Sequence, residues 1–251
     1  MGLKDKVCII TGGGSGIGLA SAIMMAEQGA KVVLVGRTVS KVESAAKEIE
    51  SSGGTAMSVG LDVADHDGVM KMAADVLDAY GRIDVLVNNA GHSSPHRKLL
   101  TTTPEELHAV LDSNIVGTIF CTQAVMPTML EAKEGTIINV ASLAGVNPGL
   151  VGGMAYSAAK AAVINFTGFL TSEFKNQGIR ASVVIPGEVD TPILDKRPVP
   201  PSSDARATMV TAEDTAEAIT LIAALPQRTH IPELVIRPTF QRDFTGELGT
   251  A

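Results

Sequence analysis

The sequence predicts an α/β fold: a single doubly wound domain with a mostly parallel, seven-stranded sheet and helices on both faces. Three observations carry that expectation. Short segments rich in Val and Ile recur along the 251 residues, as continuous apolar runs rather than alternations, which is the pattern of strands covered on both sides. Longer segments with helical spacing lie between them, so the chain is built of strand–helix–strand units. A glycine-rich turn closes the first strand and opens the first helix.

Taken in order, strands are expected at 6–11, 31–36, 55–60 (the weakest), 83–87, 136–141, 181–185 and 233–236. Helices are expected at 16–29, 40–51, 66–80, 104–131, 154–176 and 212–225. Thr103-Pro104-Glu105-Glu106 starts one helix with Thr at the N-cap, Pro at the first position and Glu three residues after the cap. Thr211-Ala212-Glu213-Asp214 repeats the device with Asp. Gly29, Gly81 and Gly178 each follow a helical run and precede a strand, where helix ends favour glycine. The stretch 192–207, with Pro192, Pro198, Pro200 and Pro201, is the one irregular insertion. It follows the strand at 181–185 and should overhang the carboxyl edge of the sheet as a substrate loop. Residues 238–251 form a tail beyond the last strand.

Composition narrows the function. Apolar residues make up 45% and charged residues 19%, which is globular rather than disordered composition. A net charge of -7 argues against a nucleic-acid partner or a polybasic membrane surface. Cys8 and Cys121 belong to no CxxC or Cys/His cluster, so neither a disulfide framework nor a metal site is expected. No apolar stretch reaches 18 residues and the first strand begins almost at once, so no membrane span and no signal peptide are expected. The expected compartment is the reducing cytoplasm.

The turn Thr11-Gly12-Gly13-Gly14-Ser15-Gly16-Ile17-Gly18 fits G-x-x-x-G-x-G through Gly12, Gly16 and Gly18. Glycines there allow a tight turn, close approach to a pyrophosphate and a helix N-terminus facing it. An ordinary glycine turn is the alternative; the strand–turn–helix context favours dinucleotide binding. The second strand ends Val35-Gly36-Arg37 with no carboxylate. A guanidinium there suits a 2′-phosphate, through charge-assisted bonds of about 1.5–3 kcal/mol. NADP(H) is therefore the expected cofactor and NAD(H) the runner-up.

Tyr80 and Tyr156 are the only tyrosines, and Tyr156 has Lys160 four residues on, on one helix face. A neighbouring ammonium lowers a phenol pKa and suits it to general acid/base work at a carbonyl or alcohol. Tyr80 has no such partner and is read as packing. Ser142 ends a strand at the edge where substrates sit, or simply caps a turn. Asn114 lies inside a long apolar helical segment, where Asn is unfavourable.

In sequence order, Thr11-Gly12 through Gly18, Asp62-Val63, Asn88-Asn89-Ala90-Gly91, Asn114, Ser142, Tyr156 with Lys160, and Pro186-Gly187 followed by Thr191 together resemble the short-chain dehydrogenase/reductase family. The resemblance runs from Lys6 to about residue 225. It implies a Rossmann-type fold and hydride transfer between a nicotinamide and a carbonyl/alcohol carbon. It implies Tyr156 as general acid/base and Lys160 on the nicotinamide ribose, lowering the tyrosine pKa. Ser142 would bond the substrate oxygen, and Asn114 would hold a relay water. The cofactor would be lined by Gly12, Ser15, Gly16, Ile17 and Gly18, by Asp62 and Val63 at the adenine, and by Asn89, Ala90 and Gly91. Pro186, Gly187, Val189 and Thr191 would flank the nicotinamide.

Two features depart from the family pattern. The last strand runs Glu233-Leu234-Val235-Ile236 into Arg237-Pro238 rather than a Gly-containing turn. Glu188 puts a carboxylate between Gly187 and Val189; facing the pocket, it would favour a polar or cationic substrate, and otherwise it faces solvent. Further pocket candidates are His92, Ser93, His96, Leu143, Pro148 and Met154. Phe240 and Phe244 in the tail pack either on their own domain or on a neighbouring subunit, and the family often forms homotetramers. The expected protein is an NADP-preferring oxidoreductase. The alternatives are an NAD-dependent polyol or hydroxy-acid dehydrogenase and a dinucleotide-binding regulator without turnover.

Overall fold

The structure, a computed structural model, describes residues 2–244 and 247. Tail residues 245, 246 and 248–251 therefore lie outside the described residues. Seven strands form one sheet in the order β3-β2-β1-β4-β5-β6-β7. They are β1 (Val7–Thr11), β2 (Lys31–Gly36), β3 (Thr55–Gly60), β4 (Val85–Asn88), β5 (Gly135–Val140), β6 (Ile179–Pro186) and β7 (Glu233–Ile236). Every pairing is parallel, so the sheet expected to be mostly parallel is parallel throughout. The physical cause is that a helix-containing crossover joins each strand to the next, and such crossovers produce parallel neighbours.

Helices α1 (Gly16–Glu27), α2 (Val39–Ser51), α3 (His66–Tyr80), α4 (Pro104–Leu111), α5 (Gly117–Ala132), α6 (Met154–Glu173), α7 (Ser203–Arg206) and α8 (Ala212–Ala224) complete the chain. One face of the sheet carries α1, α2 and α8, whose Met25, Val42, Ile49 and Ile219 pack on Cys8, Ile10 and Leu34. The other carries α3 and α5, where Met72, Val76, Val125 and Met129 pack on Ile9, Val33 and Ile137. Strands β1, β4 and β5 are buried at every position, which accounts for their unbroken apolar sequences. Tyr80 packs at the margin of the second layer. Both cysteines are free thiols buried in these layers.

The helical stretch expected at 104–131 is one path but not one helix. A π-helical turn at Asp112–Val116 separates α4 from α5. The whole run Pro104–Ala132 is long and apolar enough to cross a membrane by length and composition alone. Its apolar residues pack into the protein's core through Val110, Cys121, Val125 and Met129.

Local signals act where the sequence places them. Thr103 and Glu106 form a reciprocal capping box at α4, and Thr211 and Asp214 form another at α8. Gly29, Gly81 and Gly178 take positive φ. The 192–207 insertion holds a 3-10 turn at Pro192–Lys196 and the single-turn α7. Its ends are tied by an isolated bridge between Val189 and Val210.

Candidate active site

The strand order reverses direction between β1 and β4. A crevice opens there, beyond the carboxyl ends of the strands, where open α/β sheets hold ligands. Thr11, at the end of β1, clamps its two walls together. Its Oγ1 accepts from the backbone N–H groups of Asn89 and Ala90, at 3.0 Å each. The Asn89 side-chain amide donates back to the Thr11 carbonyl at 3.0 Å. The turn after β1 and the turn after β4 are thus held as one unit. The crevice continues into a cavity of about 760 Å³ lined by Gly12, Ser15, Gly16, Ile17, Asn89, Ala90 and Gly91 at one end. Asn114, Ser142, Leu143, Tyr156 and Lys160 lie deeper in it, with Pro186, Gly187, Glu188, Val189 and Thr191 on the opposite wall.

A nicotinamide dinucleotide fits this arrangement. Gly12 and Gly16 take φ of +67° and +53°, folding the turn back over the start of α1. A Cβ on Gly18 would sit 2.4 Å from the Gly12 carbonyl oxygen, so only glycine lets α1 approach the turn this closely. The Asn114 Oδ1 is buried with no hydrogen-bond partner, an acceptor waiting for a donor from the cavity.

Tyr156 and Lys160 stand one turn apart on α6, with the ammonium 5.6 Å from the phenol ring centroid. Lys160 is almost fully buried and donates to the Val140 carbonyl at 2.8 Å. Burial pushes its pKa down to about 8. The phenol of Tyr156 is shifted up, because its dry surroundings outweigh the downward pull of the nearby Ser142 hydroxyl and of the Arg197 and Arg97 guanidiniums. The sequence expectation of a phenol lowered by Lys160 is corrected on this point: desolvation dominates both groups. The Ser142 Oγ accepts from the Ala144 N–H at 3.2 Å as the cap of a 3-10 turn.

Asn114 sits in the π-helical turn, which offsets it from the flanking helical register. Its Nδ2 donates to the carbonyls of His92 and Val110 at 2.8 Å each, fixing the amide so that Oδ1 faces Gly91. A Cβ on Gly91 would come within 2.3 Å of that oxygen. A buried network supports the floor. Asn88 on β4 donates to Asn139 on β5 at 2.9 Å, and Asn139 donates to Thr167 on α6 at 2.9 Å. It registers α6, and with it Tyr156, against the sheet.

Other expected residues lie elsewhere. Arg37 and Asp62 are at the exposed ends of β2 and β3, outside the cavity lining, 3.7 Å apart. Val63 is buried against Gly117. His92 bonds Ser113 at 2.8 Å and His96 bonds Glu106 at 2.7 Å, and neither lines the cavity. Burial, with Arg37 and Lys196 nearby, pushes the His92 imidazole pKa down. Met154 packs with Val110, Leu107 and Leu111 on the α4 side instead of facing the cavity. Among the described residues no His/Cys/Asp/Glu group could hold a metal ion.

Glu188 faces the cavity, but not as a free carboxylate. Arg197 and Arg242 bond it at 3.0 and 2.6 Å, and both also bond Glu247. Its expected pull toward a cationic substrate is therefore already spent on two arginines. Phe240 and Phe244 line the same cavity, so the described tail lies over its own domain. No pattern in the sequence singles out Arg97, Arg197 or Arg242. All three sit in irregular segments where no periodicity marks a direction, and only their number among the few basic residues of these loops could have drawn attention.

The family model for short chain dehydrogenase matches residues 6–199. The 3-oxoacyl-(acyl-carrier-protein) reductase of Thermotoga maritima is 38% identical over 200 residues, 79% of this chain and 80% of that protein. A metagenomic short-chain oxidoreductase solved in complex with NADP superposes with a TM-score of 0.82 at 34% identity, covering 95% of this chain and 99% of that one. The 3-ketoacyl-(acyl-carrier-protein) reductase of Brucella melitensis, solved with NADH, gives a TM-score of 0.83 at 28% identity, covering 94% of this chain and 98% of that one.

Proposed function

The chain belongs to the short-chain dehydrogenase/reductase family, and on that premise we propose that it is an oxidoreductase for a carbonyl/secondary alcohol pair that prefers NADP(H). The observation that carries the proposal is that Ser142, Tyr156 and buried Lys160 line one cavity together with the glycine turn. The chemistry this cofactor supplies when bound is exchange of a hydride with the substrate carbon.

Gly12, Ser15, Gly16, Ile17 and Gly18 would hold the pyrophosphate against the start of α1. Asp62 and Val63 would contact the adenine, and Arg37 a 2′-phosphate. Asn89, Ala90 and Gly91, with Pro186, Gly187, Val189 and Thr191, would enclose the nicotinamide half. Tyr156 Oη gives its proton to the substrate oxygen in reduction and takes it back in oxidation. Its raised pKa keeps it protonated at neutral pH, which equips the protein as a general acid for carbonyl reduction. Ser142 holds the phenol and shares the substrate oxygen. Asn114 Oδ1 holds a water, and Lys160 passes the replacement proton from that water to Tyr156.

A second cofactor reading has one observation behind it. Asp62 already occupies Arg37, and a carboxylate at this edge suits a free ribose hydroxyl, so NAD(H) is the runner-up. The test is oxidation of NADPH and NADH, side by side, over a panel of carbonyls. Tyr156→Phe should lower kcat by about 10²–10⁴-fold while leaving cofactor Kd within twofold. Undiminished turnover in that variant would remove Tyr156 from the mechanism and the proposal with it.

A further inference from the structure

Resting on the reductase reading above, we propose that the substrate is an oxo acid, or the matching hydroxy acid, whose carboxylate docks on Arg97.

Arg97 lines the cavity together with Tyr156. Its backbone carbonyl accepts from the Met154 N–H at 3.0 Å, at the first residue of α6. Its stem lies against Gly153, where a Cβ would come within 2.9 Å of Arg97 Cγ. Gly153 holds φ +82° there, so the contact relies on glycine. The guanidinium is thus pinned to the same helix start that carries Tyr156, and its charge is felt at the phenol.

Arg97 is half-buried and has no partner for its charge. Its Nε is buried without a hydrogen bond, and among the described residues no carboxylate pairs with it. Desolvation and the Arg197 charge bring its pKa down to about 10, which leaves it cationic at neutral pH. The neighbouring cations are already answered: Arg197 and Arg242 share Glu188 and Glu247, two charges of each sign. Lys160 is turned to the Val140 carbonyl. Arg237 and Asp243, the remaining charges on the wall, are exposed. A partly desolvated, unpaired guanidinium gains from an anion that completes it, and its planar fork matches a carboxylate. Leu143, Leu194 and Phe244 leave an apolar surface for the carbon chain between.

The experiment uses 2-, 3- and 4-oxopentanoate with their methyl esters, which walk the carbonyl away from the carboxylate and remove its charge. Wild type should prefer at least one acid over its ester by about 100-fold in kcat/KM, the worth of a charge-assisted bidentate contact. Arg97→Met should bring that ratio close to one, with Arg97→Lys between. Calorimetric binding to Tyr156→Phe protein with NADP+ present, where no turnover occurs, should show the same acid preference and the same loss with Arg97→Met. Acid and ester behaving alike, or the preference surviving Arg97→Met, overturns the docking. So does an equal fall for acid and ester with a shifted pH profile, which would make Arg97 a group that only tunes Tyr156. Acid-selective, Arg97-dependent binding with no carbonyl reduced by either cofactor would leave the docking standing and sink the reductase reading alone.

Discussion

Lys160 keeps 4% of its surface exposed and has one carbonyl, that of Val140, for its ammonium. Its pKa near 8 lies below the unfolded value of 10.5. Between those values the unfolded chain holds a proton that the folded chain has lost, so stability rises with pH across the window and falls as pH drops toward 8. From pH 7 to 9.5 the free protein should gain on the order of 2 kcal/mol, or about 4–8 °C in Tm, relative to Lys160→Met. Tyr156, shifted the other way, begins to act only above pH 10. Parallel melts of the two proteins check this, and a difference that stays flat with pH would mean that the ammonium is solvated. Arg37 governs a different readout. Arg37→Gln should raise the Kd of NADPH about 10- to 100-fold and leave that of NADH within twofold, measured by fluorescence titration at low salt. Such single residues were legible when helical spacing coupled them, as with Tyr156 and Lys160. Arg97 was not legible, because its partner surface is made by α6, more than fifty residues away in sequence.

The elements were read from the sequence because their causes are local. Buried parallel strands need continuous apolar runs, and even at the half-exposed edge strands β3 and β7, as at α3, the boundaries fall where the sequence places them. The π-helical turn at Asp112–Val116 was not read, since one extra residue in a helical turn leaves the apolar pattern of 104–131 nearly unchanged. Its consequence is functional: it lifts Asn114 out of register and aims Oδ1 at the cavity beside Gly91. The turn between β1 and α1 has almost no room for a side chain. Gly18 faces the Gly12 carbonyl and the Asn89 amide, which a Cβ would approach at 2.4 and 2.6 Å. Gly18→Ala must therefore push α1 from the turn and break the Asn89 bond to Thr11. Dinucleotide affinity should fall more than ~10-fold, as expected when well-formed contacts to a charged group are lost, and Tm should drop by several degrees. Unchanged affinity in a folded Gly18→Ala protein would show that the cofactor does not rest on this turn.

At the scale of the molecule, three segments far apart in sequence meet over the cavity. Glu188 follows β6, Arg197 lies in the insertion, and Arg242 and Glu247 come from the tail. All four side chains are about 11–12% exposed, so these ion pairs are shielded from solvent and salt far more than surface pairs. Arg242 is held well above its ordinary pKa by hydrogen bonds to Glu247 and Glu188. The Glu247 carboxyl is held below the usual carboxylate range by Arg242. The cluster is the only charged link between insertion and tail among the described residues, and Phe240 and Phe244 line the cavity from the tail it fastens. Removing one carboxylate leaves two arginines to share the other, which costs several kcal/mol where the remaining charges stay buried. The tail relieves that cost by lifting away, since the sheet and both helical layers do not depend on it. Glu188→Gln should therefore speed hydrogen exchange at 192–197 and 238–244, raise KM severalfold and change kcat little, because Tyr156, Ser142 and Lys160 are positioned by β5 and α6 instead. Glu247→Gln should do the same, and a fall in kcat with unchanged exchange in either variant would place the carboxylate in the chemistry rather than in the closure of the cavity.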